Sequence, residues 1–262
     1  MQPWIDVQRI RSQAPLIHNI TNYVVMNITA NALLALGASP VMAHALDEVE
    51  EMVAIAQALV LNIGTLSPPW IEAMITAGRA ARRKGIPVVL DPVGSGATAL
   101  RTATAHRLIE EAAPAVIRGN ASEIRSLALA ERGTKGVEST HQAEETIAAA
   151  QSLARLARCV VSVSGATDVI VDGEAMVRVY NGHAMMPRVT GLGCAASALT
   201  GAFVAVNPSP FEAAAHAMMV VGIAGEMAAE SSAGPGSLHV NFLDALYRLG
   251  EPDIKERLRI AE

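Results

Sequence analysis

The sequence predicts an α/β fold in which a mostly parallel central sheet is flanked by helices on both faces, and three observations lead there. Short β-branched runs alternate with longer Ala-rich amphipathic runs, the pattern that carries a helix across between parallel strands. Hydrophobic residues make up 51% of the chain but aromatic residues only 3%, which suits helices packed closely on a sheet. At 262 residues the chain is long enough to bury one large core, so a single domain over residues 1–262 is expected.

Along the chain, strand Leu16–Ile17 leads into a helix over Tyr23–Leu36, strand Ser39–Met42 into helix Val49–Gln57, and strand Ala58–Asn62 into helix Pro69–Lys84. Strand Pro87–Leu90 is followed by helix Thr102–Ala112, and strand Ala115–Ile117 by helices Ser122–Leu129 and Ala143–Ala157. The most polar stretch, Glu131 to Glu145, reads as a surface loop entering the second of those helices. Strand Val160–Ser164 then precedes two more, Val169–Val171 and Met176–Tyr180. Only Asp172-Gly173-Glu174 separates those two, and such a turn predicts an antiparallel hairpin. From there the chain is helical, through Cys194–Val206, Pro210–Ser231 and Ser237–Leu249, with a charged tail beyond Glu251 that reads as a solvated helix or frayed end.

Composition narrows the function classes. A net charge of −5 and the scarcity of aromatic rings argue against a nucleic-acid partner, which needs basic surface and stacking platforms. Cys159 and Cys194 do not make a disulfide framework in a chain this long, and the N-terminal MQPWIDVQRIRSQ lacks the apolar core of a signal peptide, so a cytoplasmic location is expected. Val189 to Phe211 contains no charged residue, yet Gly191, Gly193, Pro208 and Pro210 confine its helix to roughly four turns, short of the about 20 residues a membrane span requires.

In open α/β sheets ligands bind beyond the carboxyl ends of the strands. Those ends are polar and glycine-rich here: His18-Asn19, Ala43-His44, Gly64-Thr65, Asp91-Pro92-Val93-Gly94, Arg118-Gly119-Asn120 with Glu123, Ser164-Gly165, and Thr190-Gly191-Leu192-Gly193-Cys194. The last runs straight into an apolar helix. Its glycines allow close approach to the backbone, and the unpaired first N–H groups of a helix favour an anion such as a transferring phosphate; a glycine turn serving only packing is the alternative.

Gly191-x-Gly193-x-x-Ala196 also fits a relaxed dinucleotide fingerprint, but helices follow it instead of a strand–helix–strand unit, and no Walker P-loop occurs anywhere. Phosphoryl transfer from a nucleotide needs a cation, and Asp91 and Glu123 at neighbouring strand ends are enough for magnesium, which keeps several waters. Their alternatives are an Asp-Pro turn and a helix-N-terminal acid. Arg118 suits phosphate recognition and Ser164 a nucleotide hydrogen bond, against a surface ion pair and a turn serine. None of the seven histidines has metal-ligand spacing. Cys194 at a helix start is also a conceivable nucleophile, but no partner base is visible, whereas Cys159 at a strand start reads as a small core hydrophobe.

The runs His18-Asn19-Ile20-Thr21-Asn22, Ala38-Ser39-Pro40-Val41-Met42, Leu61-Asn62-Ile63-Gly64-Thr65, Asp91-Pro92-Val93-Gly94, Arg118-Gly119-Asn120-x-x-Glu123 and Gly191-x-Gly193-Cys194 occur in an order and spacing, over roughly residues 15 to 245, that resembles the hydroxyethylthiazole kinases of the ribokinase-like superfamily. The resemblance implies transfer of the γ-phosphoryl of ATP to the hydroxyl of 4-methyl-5-(2-hydroxyethyl)thiazole in thiamin salvage. It further implies that Met42, Asn22 and Gly64 line the thiazole pocket with Gly191 beside the hydroxyl, that Arg118 and Ser164 contact ATP, and that Asp91 and Glu123 position Mg2+. A homotrimer with the pocket at the subunit interface is implied as well. Cys194, with Gly193 in the catalytic turn, stands where most superfamily members carry an aspartate base. With an unperturbed thiol pKa of about 8.5 it is expected to be a poor but sufficient base. The competing readings are a related kinase acting on another small alcohol, such as hydroxymethylpyrimidine, and a non-catalytic sensor; intact Asp91, Glu123 and the glycine turn weigh against a sensor.

Overall fold

The computed structural model describes residues 1–130 and 142–261. The expectation for Glu131 to Glu145 falls, up to residue 141, outside the described residues. The chain opens with α1 (Pro3–Gln13), β1 (Leu16–Ile20), α2 (Met26–Leu36), β2 (Ser39–Val41), α3 (Val49–Ile55) and β3 (Ala58–Asn62). It continues with α4 (Pro68–Lys84), β4 (Val88–Asp91), α5 (Ala99–Ala112), β5 (Val116–Asn120), α6 (Ala121–Ala130), α7 (Gln142–Ala157) and β6 (Val160–Ser164). The last part is β7 (Asp168–Val171), β8 (Met176–Val179), a short 3-10 turn at Met186–Arg188, α8 (Leu192–Val206), α9 (Pro210–Glu230), α10 (Pro235–Arg248), α11 (Glu251–Arg257) and β9 (Ile260–Ala261).

The strands form one sheet in the order β2-β1-β3-β4-β5-β6-β7-β8-β9. The first six are parallel and the last three join antiparallel, so the hairpin expected around Asp172-Gly173-Glu174 is present, with Val169 opposite Arg178. Because β2 lies on one side of β1 and β3 on the other, the winding direction reverses between β1 and β3. Crevices open at such switch points, beyond the carboxyl ends.

Alternation along the buried strands sends successive side chains to opposite faces. Ile17, Val60, Val89, Val116 and Val160 join the apolar cluster that includes residues of α1, α2, α8, α9 and α10. Leu59, Leu61, Val88, Leu90, Ile117 and Val161 join the cluster formed with α3 to α7. Helices therefore cover both faces, as expected. α8 lies against the sheet so closely that a Cβ at Gly201 would come within 2.6 Å of the Val60 side chain. Among the described residues no helix is long and apolar enough to cross a membrane.

The departures from expectation have physical causes. β1 and β5 run three residues further than the apolar runs predict, through His18-Asn19-Ile20 and Arg118-Gly119-Asn120, because His18, Asn19 and Arg118 are buried within the strand ends. The helix expected from Tyr23 starts at Met26, since Asn22 closes a turn by accepting the Val24 N–H on Oδ1 (3.1 Å) and the Val25 N–H on its carbonyl (3.2 Å). α1 lies outside the sequence-based expectation. Its buried residues Pro3, Asp6, Val7 and Ile10 have helical spacing, but Asp6 breaks the apolar reading of that face. The tail beyond Glu251 is the helix α11 followed by β9, which pairs with Arg178 and Val179 of β8; two residues are too short a strand to carry a sequence pattern.

Candidate active site

The carboxyl ends of β1, β3, β4 and the start of α8 converge on one buried polar chain. Asn62 ends β3 and Asp91 ends β4, and the two are register partners in neighbouring parallel strands, so their side chains leave the same face. Asn62 Nδ2 donates to Asp91 Oδ2 at 2.7 Å, and Ser197 Oγ, one turn into α8, donates to the same oxygen at 2.8 Å. At its other end Asn62 Oδ1 accepts from Asn22 Nδ2 at 2.8 Å and from the Gly64 N–H at 3.0 Å. Asn22 Nδ2 also reaches Cys194 Sγ at 3.6 Å. Gly64 has no room for a side chain here, because a Cβ would meet Asn22 Nδ2 at 2.4 Å.

The glycine turn is built as the sequence suggests. Gly191 is the N-cap of α8 with φ +89°, and a Cβ there would stand 3.0 Å from both Ile28 and Val25. The helical ladder begins with Ala195 N–H to Gly191 carbonyl at 2.8 Å, so the amides of Leu192, Gly193 and Cys194 are the ones a helix leaves without an intrahelical partner. Gly193 is exposed. Its carbonyl accepts from the Arg118 guanidinium at 2.8 Å, which ties the turn to the end of β5. Arg118 is buried, and its Nε has no protein partner, an unspent donor at the site.

Glu123 does two local jobs. Asn120 caps α6 by accepting the Glu123 N–H on Oδ1 (3.0 Å), while Glu123 Oε2 accepts the Asn120 N–H (2.8 Å), a reciprocal capping box. Oε1 accepts the Gly94 N–H at 2.8 Å and so fastens the loop after β4. Each carboxylate oxygen keeps a second lone pair. Ser164, at the end of β6, is half-buried and donates weakly to the Gly119 carbonyl at 3.4 Å.

Met42 stands directly after β2, half-buried, with the His44 ring 3.4 Å from its carbonyl; no hydrogen bond joins it to the Asn62 chain. Close by, three rings gather in an otherwise aromatic-poor protein: His44 stacks on Trp70 with centroids 4.0 Å apart, and Tyr23 tilts against Trp70 at 4.7 Å.

Burial dominates the electrostatics. It pushes Asp91 up to about 6, opposed by Arg118 and the Ser197 and Asn62 hydrogen bonds and reinforced by the charge of Glu123. Burial and then the Asp91 charge push the Cys194 thiol up to about 11, against the bonds from Asn62 and Asn22 and the charge of Arg118. The thiol expected near its ordinary value is therefore raised, which weighs against a thiolate nucleophile. Burial also raises Asp168, at the start of β7, to about 6, with the Gly165 N–H and Arg118 opposing.

A buried carboxylate whose ionisation is made costlier by a second one at the adjacent strand end suits a divalent cation, and hard oxygen donors suit magnesium. No group of three or more His, Cys, Asp or Glu able to hold a metal occurs among the described residues.

The sequence alone points to no role for Asn62, Ser197, Arg101 or Asp168. Asn62 and Ser197 do carry a signal, a polar side chain ending a buried strand and another inside an apolar helix. Arg101 carries none; it bridges the loops after β3 and β4 by donating to the carbonyls of Ile63 (2.9 Å), Val93 (2.6 Å) and Gly64 (2.8 Å).

Comparison with known proteins gives the context of this geometry. The family model described as "Hydroxyethylthiazole kinase family" matches residues 7–252. A curated hydroxyethylthiazole kinase of Syntrophus aciditrophicus is 62% identical over 258 residues, 98% of this chain and 96% of its own length. The solved hydroxyethylthiazole kinase of Pyrococcus horikoshii superposes with a TM-score of 0.93 at 46% identity, covering 99% of this chain and 98% of that one. A pyridoxal kinase of Staphylococcus aureus, at 17% identity, TM-score 0.60 and coverage of 81% and 88%, shares the fold.

Proposed function

The chain belongs to the hydroxyethylthiazole kinase family, with the ribokinase-like fold, and we propose that its strand-end site moves the γ-phosphoryl of ATP onto the hydroxyl of 4-methyl-5-(2-hydroxyethyl)thiazole, yielding the thiazole phosphate of thiamin salvage. The observation that carries this reading is the convergence of a buried carboxylate, Asp91, with the open amides of the α8 start and the Arg118 guanidinium. Phosphoryl transfer passes through a loose transition state and is catalysed chiefly by positioning and charge stabilisation. The amides of Leu192, Gly193 and Cys194 would face the equatorial oxygens of the moving group. Arg118, with its unpartnered Nε, would take phosphate oxygens of ATP, and Ser164 would donate a hydrogen bond from the next strand end.

Asp91 and Glu123 would hold Mg2+, Glu123 through water from the lone pairs its backbone bonds leave over. When bound, the cation offsets the charge on the phosphates. The thiazole ring would lie between Met42, Asn22 and Gly64, with its hydroxyl beside Gly191. A thiol raised to about 11 does not sit ready as a base, so Cys194 would serve the hydroxyl as a hydrogen-bonding neighbour, and the alcohol proton would pass late to an oxygen of the transferred phosphoryl group, as a loose transition state permits.

The whole chain would act as one cytoplasmic kinase domain within a homotrimer whose interface completes the thiazole pocket. Tyr23 and Val24, 66% and 65% exposed although next to Asn22, are apolar surface for such a neighbour to cover. A coupled ADP-release assay with ATP, Mg2+ and hydroxyethylthiazole, hydroxymethylpyrimidine or pyridoxal tests the reading. Turnover on the thiazole well above the others is expected, and chelation should abolish it; background rates on the thiazole would overturn the assignment.

A further inference from the structure

Within the site just described, Asn62 stands between the two groups of residues assigned to acceptor and to cation. Its hydrogen bonds to Gly64, Asn22 and Asp91 each have a forced direction. A backbone N–H can only donate, so the Gly64 N–H identifies the Asn62 oxygen as the atom facing Gly64 and Asn22, and the Asn62 amide nitrogen must therefore face Asp91. The Val24 N–H does the same for Asn22, whose oxygen it occupies and whose nitrogen it leaves to donate to Asn62. The result is a one-way relay from the turn at Val24, through Asn22 and Asn62, to Asp91 Oδ2, where Ser197 also donates. Asn22 is 4% exposed, Asn62 1%, Asp91 2% and Ser197 0%, so bulk water cannot replace a missing link.

We propose that Asn62 is the positioning residue that couples the acceptor-alcohol pocket to the phosphoryl-transfer centre. Its oxygen holds Asn22 and Gly64, two walls of that pocket, while its nitrogen holds the carboxylate that receives the cation. A ligand seated against Asn22 thus firms the donor that orients Asp91, and by linkage an occupied nucleotide side firms Asn22 in return. Acceptor and magnesium nucleotide bind cooperatively through this one carboxamide. The proposal rests on the functional reading above.

Two substitutions separate the ends of the relay. Asn62→Asp keeps an oxygen for Asn22 and Gly64 but replaces the donor facing Asp91 with a second carboxylate, and Asn62→Ala removes both ends. Hydroxyethylthiazole is titrated calorimetrically into the full-length protein, alone and with ADP and Mg2+ present, and steady-state rates are taken alongside. In the wild type the nucleotide should tighten thiazole binding by about fivefold or more, the lower range of ordinary allosteric coupling. N62D should bind thiazole alone within about threefold of wild type, yet lose the tightening and about a hundredfold in kcat, the scale of a misaligned charged hydrogen bond. N62A should weaken thiazole alone by about tenfold as well, having lost both ends.

Asn62→Ser, smaller and without a second polar end, replaces either variant if it does not fold, with the expectation given for N62A. A merely structural Asn62 would lower melting temperature without separating the two readouts. If the wild type turns over the thiazole but shows no coupling, or if N62D keeps the coupling, the proposal is overturned while the functional reading stands. If the wild type neither binds nor turns over the thiazole, the functional reading falls first and takes the proposal with it.

Discussion

Asp6 and Asp91 are buried to nearly the same degree, 1% and 2% exposed, yet the fold treats their charges in opposite ways. Asp6, on α1, accepts from Asn207 Nδ2 at 2.6 Å and His216 Nδ1 at 2.7 Å on one oxygen and from Arg9 at 3.1 Å on the other. Burial raises its pKa, but the His216 and Asn207 bonds and the charges of His216 and Arg9 outweigh it and leave the carboxyl below its ordinary value. Asp91 has two donors on one oxygen and a like charge nearby, and burial wins. The first carboxylate is fully paired and joins α1 to α9 and to the residue after α8. The second stays raised by burial even with the Arg118 charge opposing, a perturbation of the kind that clusters at functional sites.

The largest expected effect of testing that contrast is at Asp91. An amide in place of this carboxylate would keep its shape and an oxygen for the two donors while removing the charge, so Asp91→Asn should cut kcat by about a thousandfold, the scale of losing a charge-stabilising group in phosphoryl transfer. In the presence of a chelator the same variant should unfold at higher urea than wild type, because the ionised carboxylate costs stability in the folded state. A loss of stability instead would place Asp91 with Asp6 and break the contrast.

Asp6→Asn should do the reverse. Stability falls by about 2 kcal/mol, the scale of disturbing hydrogen bonds to a buried charged group, while kcat/KM stays within about threefold. The acid limb gives a second readout. Since the folded Asp6 carboxyl lies below its unfolded value of 3.8, its contribution is present above that pH and is lost as pH falls through the folded value. Urea midpoints measured from about pH 7 down to about pH 3 should therefore drop for wild type more steeply at the acid end than for D6N.

Gly191→Ala asks whether the second region depends on backbone as much as on charge. With φ at +89° and Ile28 and Val25 both 3.0 Å from the new Cβ, the turn must shift, and kcat should fall by about fiftyfold with little change in the ATP KM. Wild-type rates would mean that the amides of this turn do not meet the transferred group. The smallest effect is expected at Cys194. Cys194→Asp should retain or raise turnover within about tenfold, since a loose transition state asks little of a base, and a fall beyond about a hundredfold would show that the thiol itself is needed.

Much of this site is legible in the sequence alone. Asp91, Arg118, Glu123 and the Gly191–Cys194 turn each interrupt or follow an apolar run, and a polar group in that place has to be explained. Read from sequence, the strands come out too short at the same points, because a buried His18-Asn19 or Arg118 looks like the end of a strand when its partners are unknown. Asn62 is visible as the last residue of β3, but its bonds span 40 residues to Asn22 and 29 to Asp91, and no local pattern encodes them. Arg101 is invisible for the same reason. Asp6 reads as one more charge in a mixed N-terminal segment, although it is buried.

The alternation of short β-branched runs with amphipathic helices determined the α/β class, the hairpin at Asp172-Gly173-Glu174 and the location of polar residues at strand ends, because period and turn chemistry are local properties of a chain. Which of those residues meet was decided by the tertiary structure alone. The reversal of winding between β1 and β3 sets Asn22 beside Asn62, the close seat of α8 at Gly201 brings Ser197 onto Asp91, and burial then sets the two aspartates apart. A carboxylate's pKa depends on the partners and the solvent that the fold leaves it, and those are fixed only when distant segments pack.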